Sequence, residues 1–306
     1  MPTVLRRLAH VVPGPVRRRV GAKIRRSGPA PAPAGPRWAD GAPSPWAPAT
    51  AAELAAPAWC NVCRWTGPAF EGPAHCEAAR CPTCGSIARD RFLFWCFTRR
   101  TPLRRGLRVL ETSPRMGDEY RRAMASWFDY RSSDYDERAH RAALRLDLQD
   151  LDLPDASVDV LLTPHVLEHV PDTDRALAEV ARVLAPRGRM YLQVPVLQGR
   201  TAPPGAPEFH GDDTPVFWRF GYDLTARLRD HGFTATALVP EAWADLVRGG
   251  ATAWPDGEVS PEFDVASMLA GCDAADLTCV ADRAEAARIG AVPAYMHVTW
   301  EAVKPA

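Results

Sequence analysis

From Leu107 to Pro240 short apolar runs alternate with amphipathic stretches, and this alternation limits the possible folds more than any other feature of the chain. "LRVLET", "FDYRSSDYD", "ALRLDLQDLDLP", "SVDVLLTPHVL" and "RMYLQVPV" read as five successive strands. "DEYRRAMASW" and "DTDRALAEVARVLAPRG" read as helices between them, the second with Asp172 or Thr173 near its N-cap and Gly188 past its end. "GYDLTARLRDHGFTATALVP" reads as a helix, a glycine stop and a strand, and "AYMHVTWEAV" as a closing strand. Strands and helices alternating at this spacing make βαβ units, and hence an α/β fold with a doubly wound, mostly parallel sheet. Residues 241–290 read as an insertion without a clear pattern.

The chain of 306 residues is long enough for one large domain and a smaller module. Residues 1–28 form a basic arm with eight Lys and Arg and no acid. The arm is either solvated or a short helix on an anionic lipid surface, and Pro13, Gly14 and Pro15 interrupt any helix there. Residues 29–57 are a Pro/Ala-rich linker, 58–100 a cysteine module with a connecting helix, and 101–306 the main domain. Net charge is zero, so no global field draws in nucleic acid. No apolar run approaches the roughly 18 residues of a membrane span, and no signal-peptide core follows the basic start. These features make the cytoplasm the default compartment, with the arm able to touch the inner membrane surface.

"CNVC" (Cys60, Cys63) and "CPTCG" (Cys81, Cys84) are two Cys-x-x-Cys knuckles with about 17 residues between them, within the range for zinc ribbons. Two knuckles close a tetrahedral thiolate shell with no open position, which is a structural zinc site. The other reading is two exposed thiol pairs, prone to oxidation. His75 and Cys76, between the knuckles, are alternative ligands. Gly85 allows the tight turn after the second knuckle, and Cys96, Cys272 and Cys279 read as small core residues.

In an open α/β sheet, ligands sit beyond the carboxyl ends of the strands. Glu111 and the turn Ser113–Arg115–Gly117 end the first strand. Asp134 ends the second, where an acid can bond ribose hydroxyls. Asp147 and Leu148 follow the third, where an acid can accept from an adenine amino group. His165 follows the fourth. Each acid taken alone reads equally as a turn or cap residue.

Residues 107–240 resemble a class I S-adenosylmethionine-dependent methyltransferase of the type 11 kind, most specifically over 144–195. That stretch carries "LP-D-A-S-V-D", "H-V-L-E-H-V" and a helix ending "R-V-L-A-P-R-G". A Cys-x-x-Cys ribbon before the domain, with an eroded glycine turn, resembles one subgroup of that family. The resemblance implies a seven-stranded Rossmann-like sheet and S-adenosylmethionine as cofactor. By position, Glu111 matches the acid of the first strand, Asp134 would hold the ribose, Asp147 and Leu148 would flank the adenine, and His165 would sit beside the sulfonium. Ser113 and Arg115 stand where the family usually has glycines. Arg115 either pairs with the cofactor's carboxylate or stands on the surface beside a closed turn.

The resemblance implies methyl transfer to an oxygen or nitrogen of a small molecule or glycan intermediate, with His165 and His210 as candidate bases. His169 shares a helix face with His165, and Glu168 and His169 read otherwise as partners of backbone and loop groups. Phe209, Phe217, Trp218 and Phe220 wall an acceptor pocket or fill the core. Two other functions compete. One is an RNA methyltransferase gripping its substrate through ribbon arginines Arg64, Arg80, Arg89 and Arg91. The other is a binding module that has lost its cofactor.

Overall fold

The computed structural model describes residues 47–72, 79–136, 142–196, 198–211, 213–250, 265–291 and 298–306. The basic arm, most of the linker, and the alternative ligands His75 and Cys76 lie outside them. In chain order the elements are α1 (Ala51–Ala55), β1 (Ala58–Trp59), β2 (Thr66–Gly67), α2 (Ala88–Arg100), β3 (Arg108–Thr112), α3 (Asp118–Trp127), β4 (Asp129–Asp134), β5 (Leu144–Arg145) and β6 (Val158–Pro164). There follow α4 (Thr173–Val183), β7 (Leu184–Gln193), β8 (Glu208–Phe209), β9 (Pro215–Val216), α5 (Leu224–Asp230), β10 (Thr234–Pro240), α6 (Glu241–Arg248), α7 (Val265–Leu269), β11 (Leu277–Ala281), α8 (Arg283–Arg288) and β12 (Thr299–Val303).

The central sheet runs β11-β10-β12-β7-β6-β3-β4-β5. Only β12 is antiparallel to its neighbours, β10 and β7. The expected doubly wound, mostly parallel sheet is present, the architecture of the methyltransferase fold. It has eight strands rather than seven. The extra edge strand, β11, comes from the 241–290 segment and pairs parallel with β10. Of its five residues only the ends, Leu277 and Ala281, are buried, so it lacks both a continuous apolar run and a clean alternation and its pattern in the sequence is weak. Cys279 lies on it and is exposed, and Cys272 is half-buried, so of the three predicted core cysteines only Cys96 is one.

Gly188 does not follow a helix end. Helix α4 closes at Val183 and β7 starts at once, with Arg187 at φ 63° and Gly188 inside the strand. A Cβ on Gly188 would come within 2.7 Å of the Ala185 carbonyl, so close backbone approach, rather than helix termination, selects glycine.

Strand parity sorts the core. Leu110, Leu161, Met190 and Leu192 join one apolar cluster with α4 and α5. Val109, Val160, Leu162 and Tyr191, their alternating neighbours, join the other, with α2 and α3. That second cluster also contains Cys60, Cys63 and Cys81. The ribbon is therefore packed onto the sheet, not tethered beside it. No described helix is long and apolar enough to cross a membrane.

Candidate active site and metal centre

The two knuckles have matching backbone geometry. Cys60 N–H donates to the Trp65 carbonyl (2.8 Å) and Arg64 N–H to the Cys60 carbonyl (2.7 Å). Likewise Cys81 N–H donates to Ser86 (2.8 Å) and Gly85 N–H to Cys81 (2.9 Å). Arg64 (φ 62°) and Gly85 (φ 72°) occupy equivalent left-handed positions. At Gly85 a Cβ would also lie 2.9 Å from the Arg80 guanidinium. Arg64 carries the strain of its conformation while its side chain donates to the carbonyls of Ala47 (3.1 Å) and Pro48 (3.0 Å) and pairs with Glu53.

All four Sγ atoms lie within 4.8 Å of one another, and Cys60–Cys84 and Cys63–Cys81 are each 3.6 Å apart. Tetrahedral Zn–S bonds of about 2.3 Å put sulfurs about 3.8 Å apart, so the set fits zinc. Burial raises the Cys60 thiol pKa, but hydrogen bonds from Cys63, Cys81, Cys84 and Ser86 reverse this and hold it well below the usual thiol range. Among the described residues no other group of three or more metal-binding side chains converges this way.

Arg91, on the first turns of α2, joins the ribbon to the domain. Its fully buried guanidinium donates to the carbonyls of Ile289 (2.6 Å), Ser86 (2.6 Å) and Ala79 (2.8 Å), and lies 3.7 Å from the Phe70 ring centroid. Arg64 and Arg91 are thus committed to internal partners, whereas Arg80 is exposed. The sequence holds no signal for this use of Arg91 beyond its place on an apolar helix.

The crevice is built at the carboxyl ends of β3, β4 and β6. Glu111 is buried and accepts from the Tyr130 hydroxyl (2.7 Å). Burial pushes its carboxyl up to about 7, against the pull of the Tyr130 and Tyr120 hydroxyls. Ser113 takes a left-handed conformation (φ 48°), the backbone for which glycine is the usual residue. Its N–H donates to the Ser133 carbonyl (2.7 Å) and its hydroxyl to Asp134 Oδ2 (3.0 Å). Arg115 is paired with Asp90 of α2. Gly117 is the N-cap of α3, and a Cβ there would meet nothing within 4 Å. Asp147 accepts from Gln149 N–H (2.9 Å) and its side-chain amide (3.1 Å), while Leu148 is buried in the core.

One pocket brings several of these residues together. Asp90, Glu111, Arg115 and Tyr120 line it with Leu93, Phe94, Met116, Leu162 and Pro164. Beside it, Thr83 and Cys84 of the second knuckle face Gly117, Asp118, Glu119, Tyr120 and Arg122 across an open cleft. Asp90 has no role in the sequence-based reading. Its one signal is its position three residues after Ile87, where its carboxylate accepts from Ile87 N–H (2.9 Å) and caps the helix.

His165 follows β6 at φ 51°, its N–H bonded to the Gln193 carbonyl (2.8 Å). Leu167–His169 is a 3-10 turn, so His165 and His169 do not share a regular helix face. Both instead approach one oxygen of Glu168, at 3.4 Å (His165 Nδ1) and 3.9 Å (His169 Nε2). Glu168 is buried, and neither carboxylate oxygen accepts a hydrogen bond among the described residues. Burial raises its pKa, while the charges of His169, His210 and Arg89 lower it. His169 Nδ1 lies 2.7 Å from the Pro215 carbonyl, which can only accept, so Nδ1 carries a proton. His210 stacks edge-on to His169 with ring centroids 4.7 Å apart. Phe209 and Phe217, on the adjoining β8–β9 hairpin, are 59% and 38% exposed, whereas Phe220 is fully buried in the core.

A methyltransferase-domain family model matches residues 119–192, the stretch holding Asp134, Asp147, Leu148, His165 and Glu168. Those residues carry the methyltransferase-domain pattern. An uncharacterized 37.1 kDa protein in transposon TN4556 of Streptomyces fradiae is 47% identical over 49 residues, 16% of this chain and 14% of that protein. The chain thus matches only a small part of that relative's length. A methyltransferase dependent on S-adenosylmethionine from Mesorhizobium loti aligns at 20% identity over 44% of this chain and 77% of its own, with a TM-score of 0.35. A phosphoethanolamine N-methyltransferase 2 from Haemonchus contortus aligns at 16% identity over 75% and 55%, with a TM-score of 0.39. The family match runs from α3 to β7 and so includes the carboxyl ends of β4 and β6.

Proposed function

We propose that this protein is an S-adenosylmethionine-dependent methyltransferase acting on an oxygen or nitrogen of a small molecule or glycan intermediate, with a structural zinc ion held by Cys60, Cys63, Cys81 and Cys84. The observation that carries the reading is Glu168, a buried carboxylate approached by two imidazoles. It lies just past the end of β6, where Pro164 lines the pocket. A buried ionisable group with a raised pKa is a candidate for proton handling.

When bound, the cofactor supplies an electrophilic methyl carbon. The chain's residues position the partners and move the proton. Arg115 and Glu111 serve the amino-acid end of the cofactor. Asp134 takes the ribose hydroxyls in exchange for the Ser113 hydroxyl. Asp147 and Leu148 flank the adenine. His165 receives the acceptor's proton and Glu168 stabilises the resulting imidazolium, with His210 packed edge-on against His169 beside them as the second candidate base. Phe209 and Phe217 give the acceptor an aromatic wall. The commitment of Arg64 and Arg91 to internal carbonyls favours a small acceptor over RNA.

Calorimetric titration of S-adenosylmethionine and S-adenosylhomocysteine into the zinc-loaded protein, beside Asp134→Ala, tests the reading. Micromolar binding that is lost in the variant is expected. A folded protein that binds neither ligand would overturn it.

A further inference from the structure

We propose that Asp90 is a positioning residue that holds Arg115 over the cofactor pocket, and that the four-cysteine site acts on cofactor affinity through it. This rests on the cofactor reading above. Methyltransferase loops rich in glycine bring backbone to the cofactor, but here Ser113 and Arg115 stand in that turn. An arginine can replace backbone contacts only if its long side chain is held in place, since a free one gives up rotamer entropy on binding. Asp90 holds it. Its two oxygens engage the Nε and Nη2 edge of Arg115, and Asp90 itself is buried. A guanidinium has a second forked edge suited to another carboxylate, the group at the amino-acid end of the cofactor. Asp90 and Arg115 line the same pocket, with Glu111 as its other ionisable wall.

The second knuckle fixes Asp90. Only Gly85 to Arg89 separate it from Cys84, and the segment is bonded throughout. Ser86 carbonyl accepts from Cys81 N–H (2.8 Å) and from Arg91 (2.6 Å). The Ser86 hydroxyl lies 3.2 Å from Cys84 Sγ and 3.4 Å from Cys60 Sγ, and Asp90 caps Ile87. Cys84 also faces Gly117 and Tyr120 across the adjoining cleft. These bonds tie the closure of the second knuckle to the first turn of α2, so a change at the four-cysteine site reaches Asp90 through this segment.

The test compares two ligands that differ at the amino-acid end. S-adenosylhomocysteine has the ammonium and carboxylate, and 5′-methylthioadenosine lacks both. Asp90→Asn removes the charge yet keeps an acceptor for Ile87 N–H, so the fold is retained; a melting curve checks this. By calorimetry, Asp90→Asn weakens S-adenosylhomocysteine about tenfold, the scale of one charge-assisted contact, and leaves 5′-methylthioadenosine unchanged. Chelation of zinc weakens S-adenosylhomocysteine at least as much in the wild type, zinc restores it, and the loss is much smaller in Asp90→Asn. Unchanged or tighter S-adenosylhomocysteine binding in Asp90→Asn overturns the proposal, as does an equal loss for both ligands. A chelation effect undiminished in the variant overturns the link to the metal. Failure of the wild type to bind either ligand removes the cofactor reading itself, a distinct result.

Discussion

The four-cysteine ribbon and the crevice beside it are both assembled from polar side chains on one face of the sheet, but they are held together differently. In the ribbon each knuckle closes on itself: Cys60 and Cys81 each donate their N–H to the carbonyl five residues on and accept from the N–H four residues on. In the crevice the contacts join distant elements: Ser113 with Asp134, Arg115 with Asp90, Glu111 with Tyr130. The ribbon's four sulfurs converge within 4.8 Å of one another, whereas the polar groups of the crevice are bonded to each other in ways a ligand can replace. Local closure makes a rigid structural site and long-range pairing an exchangeable one.

The largest effect should come from breaking the ribbon. In Cys81→Ser the bound zinc falls from one ion per chain to well below it by metal analysis. Structural zinc sites contribute on the order of 10 kcal/mol of binding free energy, so stability falls by several kcal/mol in thermal melts. A variant melting like the wild type would mean that the cysteines form an apolar plug and that local closure needs no ion. Next comes the joint between the regions. Arg91→Ala leaves the carbonyls of Ser86, Ala79 and Ile289 without their buried donor. The Ser86 carbonyl keeps Cys81 N–H, but those of Ala79 and Ile289 lose this donor and a cavity opens, so the expected cost is about 3–5 kcal/mol. Hydrogen exchange should rise in the ribbon and in α8 together, while β6 and β7 stay protected. A loss confined to the ribbon would break the view that the two share a core.

The crevice can be tested by pH. Glu111 titrates at about 7 instead of 4.5 because it is buried. The folded state therefore keeps a proton that the unfolded state has lost. The stability this gives is fully present below about 4.5 and is lost as pH rises through about 7, a total of about 3 kcal/mol. Glu111→Gln should flatten that slope. Urea unfolding at pH 5 and pH 8 should show the wild type losing about 2.5 kcal/mol more than the variant between the two conditions. Equal losses would place Glu111 in contact with water and leave the crevice less dry than its neighbours indicate.

The same contrast governs what can be read in advance. Strands β3, β4 and β6 and helix α3 carry strong local patterns and lie where the sequence puts them. The four cysteines are legible because their chemistry depends on spacing. Glu168 reads in the sequence as a partner of loop groups, because nothing in "HVLEHV" shows that its side chain is buried without a hydrogen-bond donor. Asp90 and the role of Arg91 are illegible, since their partners Arg115 and Ile289 lie 25 and 198 residues away. Strand β11 escapes notice because an edge strand is stabilised by its one neighbour rather than by its own pattern.

The smallest effect bears most directly on the eroded turn. Ser113→Gly restores the residue that a φ of 48° favours, and relief of that strain contributes roughly 1 kcal/mol. It also deletes the hydroxyl's bond to Asp134, which costs roughly 1 kcal/mol. The melting temperature should therefore move by no more than a few degrees. Ligand affinity separates the two terms. If the serine competes for Asp134, the glycine variant binds S-adenosylhomocysteine several-fold more tightly, because the ribose no longer displaces an internal donor. If affinity falls instead, the hydroxyl belongs to the cradle, and the turn is an alternative construction in which a side chain has taken over work that glycine leaves to the backbone.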